Sequence, residues 1–258
     1  MTIVLEDRDD SAVVRVRLEL SAGRHPLTQE NADRLEQIFN DLSVRTNLRA
    51  VMLMVGAEAS PGRADRSVLA NDEDKNTHAA IARLRRVCDS IEACPVPVIA
   101  VIDGPLSDDA CELVLACHIR IASSNARFSL SENQLARVSI DKGIQRLKSV
   151  ERQRVAVERM REGDHVMADE ALLSGMVNRV VPRETLLAEA EAFTCEVTVQ
   201  APLAIRACLQ AVLGGTELSL EEGLELEAQL FSSLFATEDM REGTSAFLEK
   251  RSPVFKGR

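Results

Sequence analysis

Residues 105–132 read PLSDDACELVLACHIRIASSNARFSLSE. A turn-like Ser-Asp-Asp opens an apolar helical run, ACELVLAC. HIRIAS follows as a strand and ARFSLSE as a short extended piece. Glu112 stands at the start of the helical run, and Glu132 comes twenty residues later, after Phe-Ser-Leu-Ser. A helix feeding straight into a short apolar strand is a unit of an α/β core. Two carboxylates bracketing that unit raise the question of whether they face one reacting atom.

The same alternation of units continues on both sides. Residues 12–20, AVVRVRLEL, set Val14, Val16, Leu18 and Leu20 against Arg15, Arg17 and Glu19, the pattern of a half-buried strand. Thr28 is placed to cap a helix with an apolar stripe of Ala32, Leu35, Ile38, Phe39 and Leu42. AVMLMVG (50–56) reads as a fully buried strand. Residues 57–74 are loop-like. A helix over roughly 76–92 puts Ile81, Leu84, Val87, Cys88 and Ile91 on one face, and PVPVIAVIDG (95–104) reads as a short buried strand ending in a turn. Beyond residue 140 the chain is mostly helical: QRLKSVERQRVAVERMR, ADEALLSGMV with Gly175 as its C-cap, RETLLAEAEAFTCEVTV and PLAIRACLQAVL. VNRVVP (177–182) is a short strand or extended link, and the final segment is two helices broken near Thr237, Glu238 and Asp239. Strand-helix units followed by helices alone predict an α/β fold with buried parallel strands and a helical C-terminal segment.

Composition narrows the function. A chain of 258 residues with 45% apolar and 28% charged residues can bury a sizeable core. A net charge of −10, with no Trp and no Tyr, argues against a nucleic-acid partner, which needs basic patches and aromatic platforms. No run approaches the roughly 20 apolar residues of a membrane span, and the first residues, MTIVLEDRDDS, lack the pattern of a signal peptide. The six cysteines form no CxxC pair and no zinc-like cluster, so no metal is expected and a reducing cytoplasm is the simplest location. His118 opens a strand and reads as structural. His25, His78 and His165 match no triad, and no G-x-S-x-G occurs, which leaves hydrolase chemistry without support.

CELVLACHIRIASSNARFSLSE, then GIQRL, ADEALLSGMVNRVVP and EEGLELEAQLFSSLFATEDMREGTSAFLEKRSPVFKGR, in this order, resemble the enoyl-CoA hydratase/isomerase (crotonase) family over almost the whole chain. The resemblance implies a crotonase-like spiral of repeated ββα units over residues 1–195 and a helical assembly segment over 196–258. It implies a homotrimer, or a hexamer of paired trimers, and an acyl-CoA thioester as substrate, with no cofactor beyond the CoA of the substrate itself. It also implies an oxyanion hole of two backbone N–H groups, those of Ala64 and Asp109. Glu112 and Glu132 match the family's two hydratase carboxylates. Phe247 and Lys250 match a CoA-binding pair contributed by a neighbouring subunit, and the resemblance implies substrate-binding roles for Arg63, Asp65 and Arg66 near the first loop.

The chemistry suits these residue types. A thioester enolate gathers negative charge on one oxygen, and a preorganised N–H donor there is commonly worth about 10²–10³ in rate. Hydration then needs a water positioned between carboxylates that move its proton. Two departures stand out. Arg63 replaces a glycine of the family's first loop, and Asp108, Asp109 and Ala110 replace three glycines of the second. The loop at SIDKGIQRL (139–147) keeps only Gly143 of a glycine-rich stretch. Four readings therefore stand: a hydratase, a double-bond isomerase of the same family, a non-catalytic acyl-CoA-binding homologue, and specialised biosynthetic chemistry on an unusual thioester. Without the family register, Glu112 reads as a charge complementing a helix N-terminus and Asp109 as a helix-start residue.

Overall fold

The strand AVMLMVGA is apolar on both faces because both faces are covered. In the computed structural model, which describes residues 1–7, 12–20, 27–57, 74–107, 109–129, 166–216 and 218–258, it is the third strand of a six-stranded sheet. The N-terminal half runs β1 (Thr2–Glu6), β2 (Val13–Leu20), α1 (Gln29–Ser43), β3 (Ala50–Ala57), α2 (Asp74–Glu92), β4 (Val98–Asp103), β5 (Pro105–Ser107), α3 (Asp109–Leu115), β6 (Ile119–Ser123) and β7 (Arg127–Ser129). After residue 165 come β8 (Val166–Met167), α4 (Ala168–Ser174), β9 (Arg179–Val181), a 3₁₀ turn (Arg183–Thr185), α5 (Leu186–Thr198), α6 (Pro202–Gly215), α7 (Leu220–Leu234) and α8 (Glu238–Glu249). The main sheet has the order β1-β2-β3-β4-β6-β9. Every pair in it is parallel except β1 with β2. A second sheet of three strands, β5-β7-β8, stands beside it.

Strand alternation sorts the core into two layers. Val51, Leu53 and Val55 of β3, with Val98, Ala100 and Ile102 of β4, join the cluster that also holds the apolar faces of α1, α2 and α3. The intervening residues Ala50, Met52, Ile99 and Val101 face the other way, onto Leu186 and Ala190 of α5. A sheet covered on both sides is the condition under which parallel strands are stable.

Most sequence expectations are met. Thr28 caps α1, its Oγ1 accepting from the Asn31 N–H at 3.2 Å, and the buried residues of α1 are the anticipated stripe. Each fully buried Leu or Phe of that stripe contributes about 1.5–3 kcal/mol. Gly175 ends α4 with φ 89°, a left-handed conformation that an L side chain resists. Thr237 breaks the final pair of helices by capping α8, accepting from the Met240 N–H at 3.1 Å. The strand β1 was not anticipated: TIVLE is short, and its strand character comes from pairing with β2, Ile3 opposite Leu18. The loop over 57–74 and the helical run QRLKSVERQRVAVERMR lie wholly or mostly outside the described residues.

The C-terminal tail is tied to both α8 and the sheet. Asp239, 4% exposed, accepts from the N–H groups of Lys256 (2.7 Å) and Gly257 (2.8 Å). Arg49, beside β3, donates to the Phe255 carbonyl at 2.8 Å. Among the described residues no single helix is long and apolar enough to cross a membrane; α5 and α6 together pass by composition but are bent by 102°.

Candidate active site

Asp109 and Glu112, the expected second oxyanion donor and first carboxylate, both ride on α3. β4 ends at Asp103, Gly104 turns the chain at φ 85°, and β5 leads into the helix. Asp109 is the first helical residue and partly exposed. Its N–H, like that of any first-turn residue, points out of the helix N-terminus rather than to an intrahelical carbonyl. The rest of the helix, Ala110 to Leu115, is buried.

Glu112 is buried with it, at 3% exposure, and its Oε2 is sealed from solvent. It lies three residues beyond Asp109, so both sit on the same side of one short helix. The surroundings are apolar: α3 shares one hydrophobic cluster with Leu84, Val87 and Ile91 of α2. Placing a carboxylate there costs several kcal/mol of desolvation. A surface charge complementing the helix N-terminus would not be enclosed in this way.

Around α3 lie polar groups that the sequence did not single out for chemistry. Asp103, at the end of β4, accepts from Ser123 Oγ at 3.1 Å and from Arg183 Nε at 2.9 Å, tying together the ends of β4 and β6 and the turn after β9. Arg120 of β6 is 6% exposed and donates into the C-terminal end of α3. His118 holds the starts of two strands. Its Nδ1 accepts from the Val98 N–H at 2.9 Å, which leaves the proton on Nε2 to be donated to the Glu92 carbonyl at 3.2 Å. Burial lowers its pKa, so the imidazole is neutral and structural, as expected. Cys111 and Cys117 are buried and behave as small apolar residues with weak S–H bonds to Leu106 O and Leu113 O.

Phe247 and Lys250 come together at the C-terminal end of α8. Phe247 is 82% exposed, so it is no part of this chain's own core. Lys250 caps the helix in the left-handed region, φ 55°, and its N–H reaches the Phe247 carbonyl at 3.3 Å. Phe247 also lines an apolar cavity of about 420 Å³ with Leu203, Ala204, Leu234, Met240 and Phe255. That cavity is built from C-terminal elements and is separate from the Asp109–Glu112 helix. Arg63, Ala64, Asp65, Arg66, Asp108 and Glu132 lie outside the described residues. Among the described residues no three of His, Cys, Asp and Glu gather as a metal-binding group.

Comparison with known proteins agrees with this architecture. The model of the enoyl-CoA hydratase/isomerase family matches residues 8–258. The 2,3-dehydroadipyl-CoA hydratase of Escherichia coli is 33% identical over 250 residues, 95% of this chain and 96% of the relative. The crotonyl-CoA hydratase of Syntrophomonas wolfei is 31% identical over 257 residues, covering 98% and 97%. The crystal structure of an enoyl-CoA hydratase from Bacillus anthracis superposes with a TM-score of 0.89 at 29% identity, each chain covered completely. The chain has the crotonase fold and belongs to the enoyl-CoA hydratase/isomerase family.

Proposed function

We propose that this protein is a hydratase that adds water reversibly across the conjugated double bond of an enoyl-CoA thioester. The observation that carries the reading is Glu112: a carboxylate enclosed in an apolar environment, three residues beyond the first N–H of the same helix. The thioester oxygen accepts from the N–H groups of Ala64 and Asp109. Glu112 and Glu132 hold the water. As its oxygen bonds to the β-carbon, one carboxylate takes its proton and the C=C electron pair moves into the enolate. The enolate collapses as a proton is delivered to the α-carbon, giving the 3-hydroxyacyl thioester. No electrons are exchanged and no cofactor is needed. The hydratase names of the two relatives quoted above favour hydration over isomerisation.

Phe247 and Lys250 project from the end of α8, exposed enough to reach the CoA portion bound by a neighbouring copy, with Arg63, Asp65 and Arg66 on the first loop. The exposed Leu220, Leu224, Phe231 and Phe235 of α7 and its end support assembly into a trimer or hexamer. Six cysteines outside any disulfide, four of them buried, support a reducing, cytoplasmic setting.

One observation favours a second reading, a non-catalytic acyl-CoA-binding homologue: the turn into α3 carries Asp108-Asp109-Ala110 in place of glycines. Loss of the enoyl-thioester absorbance of crotonyl-CoA separates the two. Turnover by the wild type that falls by about 10²–10⁴ in Glu132→Gln, with acyl-CoA affinity kept, is expected for the hydratase. Binding without turnover across short, long and branched enoyl-CoA substrates would establish the second reading instead.

A further inference from the structure

Two of the groups assigned to the reaction, Asp109 and Glu112, ride on a helix of only seven residues. Such a helix is not stable by itself, so its position is set by its packing and by what grips its ends. Its last carbonyls can be accounted for one by one. The Glu112 carbonyl accepts from the Ala116 N–H at 3.1 Å and from Cys88 Sγ at 3.8 Å. The Leu113 carbonyl accepts from Cys117 Sγ at 3.4 Å, and the Val114 carbonyl from the Cys117 N–H at 3.2 Å. The last carbonyl of the helix, that of Leu115, and the Cys117 carbonyl just beyond it are reached by Nη1 of Arg120 at 3.5 and 2.6 Å.

The same guanidinium binds outward as well. Its Nε donates to the Met176 carbonyl at 2.6 Å, in the link between α4 and β9. The main chain of Arg120 exchanges two bonds with Asn178: its N–H donates to Asn178 Oδ1 at 2.8 Å, and its carbonyl accepts from the Asn178 N–H at 2.9 Å. Arg120 is thus a buried cation seated on the negative end of α3 and anchored to an element 56 residues away. Its strand neighbours are Ile119 and Ile121, and a guanidinium is a costly way to fill a strand position. An apolar side chain of similar volume would serve if packing were its only task.

We infer that Arg120 is a positioning residue for the hydration reaction: it fixes the axial and rotational setting of α3, so that the Glu112 carboxylate and the Asp109 N–H meet the thioester in one constant relation. The inference rests on the hydratase reading given above. It predicts an effect on the chemical step and not on substrate binding, because the contacts proposed for the CoA portion lie on other elements.

The test is steady-state hydration of crotonyl-CoA by the wild type, Arg120→Met, Arg120→Lys and Leu35→Ala. Leu35 is fully buried in α1, so its truncation lowers stability away from α3. Melting curves set an assay temperature at which every variant is folded. Arg120→Met is expected to lose about 100-fold in kcat with KM within about three-fold, the size of effect that a ~1 Å misplacement produces. Arg120→Lys keeps the charge but cannot donate to Cys117 O and Met176 O together, and is expected to lose about ten-fold. Leu35→Ala is expected to melt earlier and keep its kcat. A kcat for Arg120→Met within three-fold of wild type overturns the role, as does an equal loss in Leu35→Ala. Should Arg120→Met not fold, the same split in Arg120→Lys decides, and an unchanged kcat there overturns it. Insensitive Arg120 variants beside an active wild type refute the positioning role alone. An inactive wild type refutes the hydratase reading, and this role with it.

Discussion

Replacing Glu112 by Gln should move activity and stability in opposite directions. Gln keeps the length of the side chain, its shape and one acceptor oxygen, but it can neither take nor deliver the proton of a water. A positioned general base or acid is worth about 10²–10⁴ in rate, which is about 2.7–5.4 kcal/mol of transition-state stabilisation. The stability term has the other sign. Glu112 is 3% exposed, with Oε2 sealed from solvent, in a layer lined by Leu84, Val87 and Ile91. A carboxylate in such a place costs several kcal/mol of desolvation, part of which its local partners repay. Neutralising it should therefore recover about 1–2 kcal/mol, or roughly 2–8 °C in melting temperature for a chain of this size. The assays are crotonyl-CoA hydration at saturating substrate and thermal melting of both proteins in one buffer. A variant that melts lower and retains full turnover would refute the reasoning. Glu112 would then be a carboxylate whose burial is fully compensated and whose task is structural.

Acidification should weaken the fold through His118. Burial holds its pKa below the usual histidine value, so the unfolded chain takes up a proton first as pH falls. Its contribution is therefore complete above about pH 6.5 and is lost as pH drops towards the folded value; melting temperature between pH 7 and pH 5 should fall less steeply in His118→Gln than in wild type. Asp109→Asn should raise kcat for an enoyl-CoA by about three- to ten-fold, because it removes a negative charge beside the developing enolate; stopped-flow or steady-state rates that are unchanged or lower would show that this carboxylate points away from the oxygen. The double variant Phe247→Ala, Lys250→Ala should raise KM for a CoA thioester about ten-fold. KM for the matching pantetheine thioester, which lacks the nucleotide, should be unchanged, and equal effects on both would remove these residues from the CoA site.

Much of the fold is written locally. The stripe of α1, the cap at Thr28, the C-cap at Gly175 and the break at Thr237 depend on residues within a turn or two of one another, and periodicity finds them. The strand β1 is different. TIVLE becomes a strand because β2 offers it a ladder, and no local pattern announces that. The site divides along the same line. Asp109 and Glu112 are three residues apart on a helical run, so their shared helix was legible, and the family's motif order supplied the roles proposed for them.

Burial decided the rest. Sequence alone left Glu112 readable as a surface charge at a helix start; only the closure of α2 and the two sheets over α3 makes it an enclosed carboxylate. No motif singles out Arg120. The available signal was a cation between two isoleucines in an otherwise apolar strand, Ile119-Arg120-Ile121-Ala122. Its meaning lies in carbonyls at positions 115, 117 and 176, which come within reach only when β6, α3 and the link after α4 are packed together. Short-range periodicity and motif order thus determined which elements form and which family they serve. The desolvation of a carboxylate and the seating of a cation on a helix end are set by neighbours distant in the chain, and only the tertiary structure decided them.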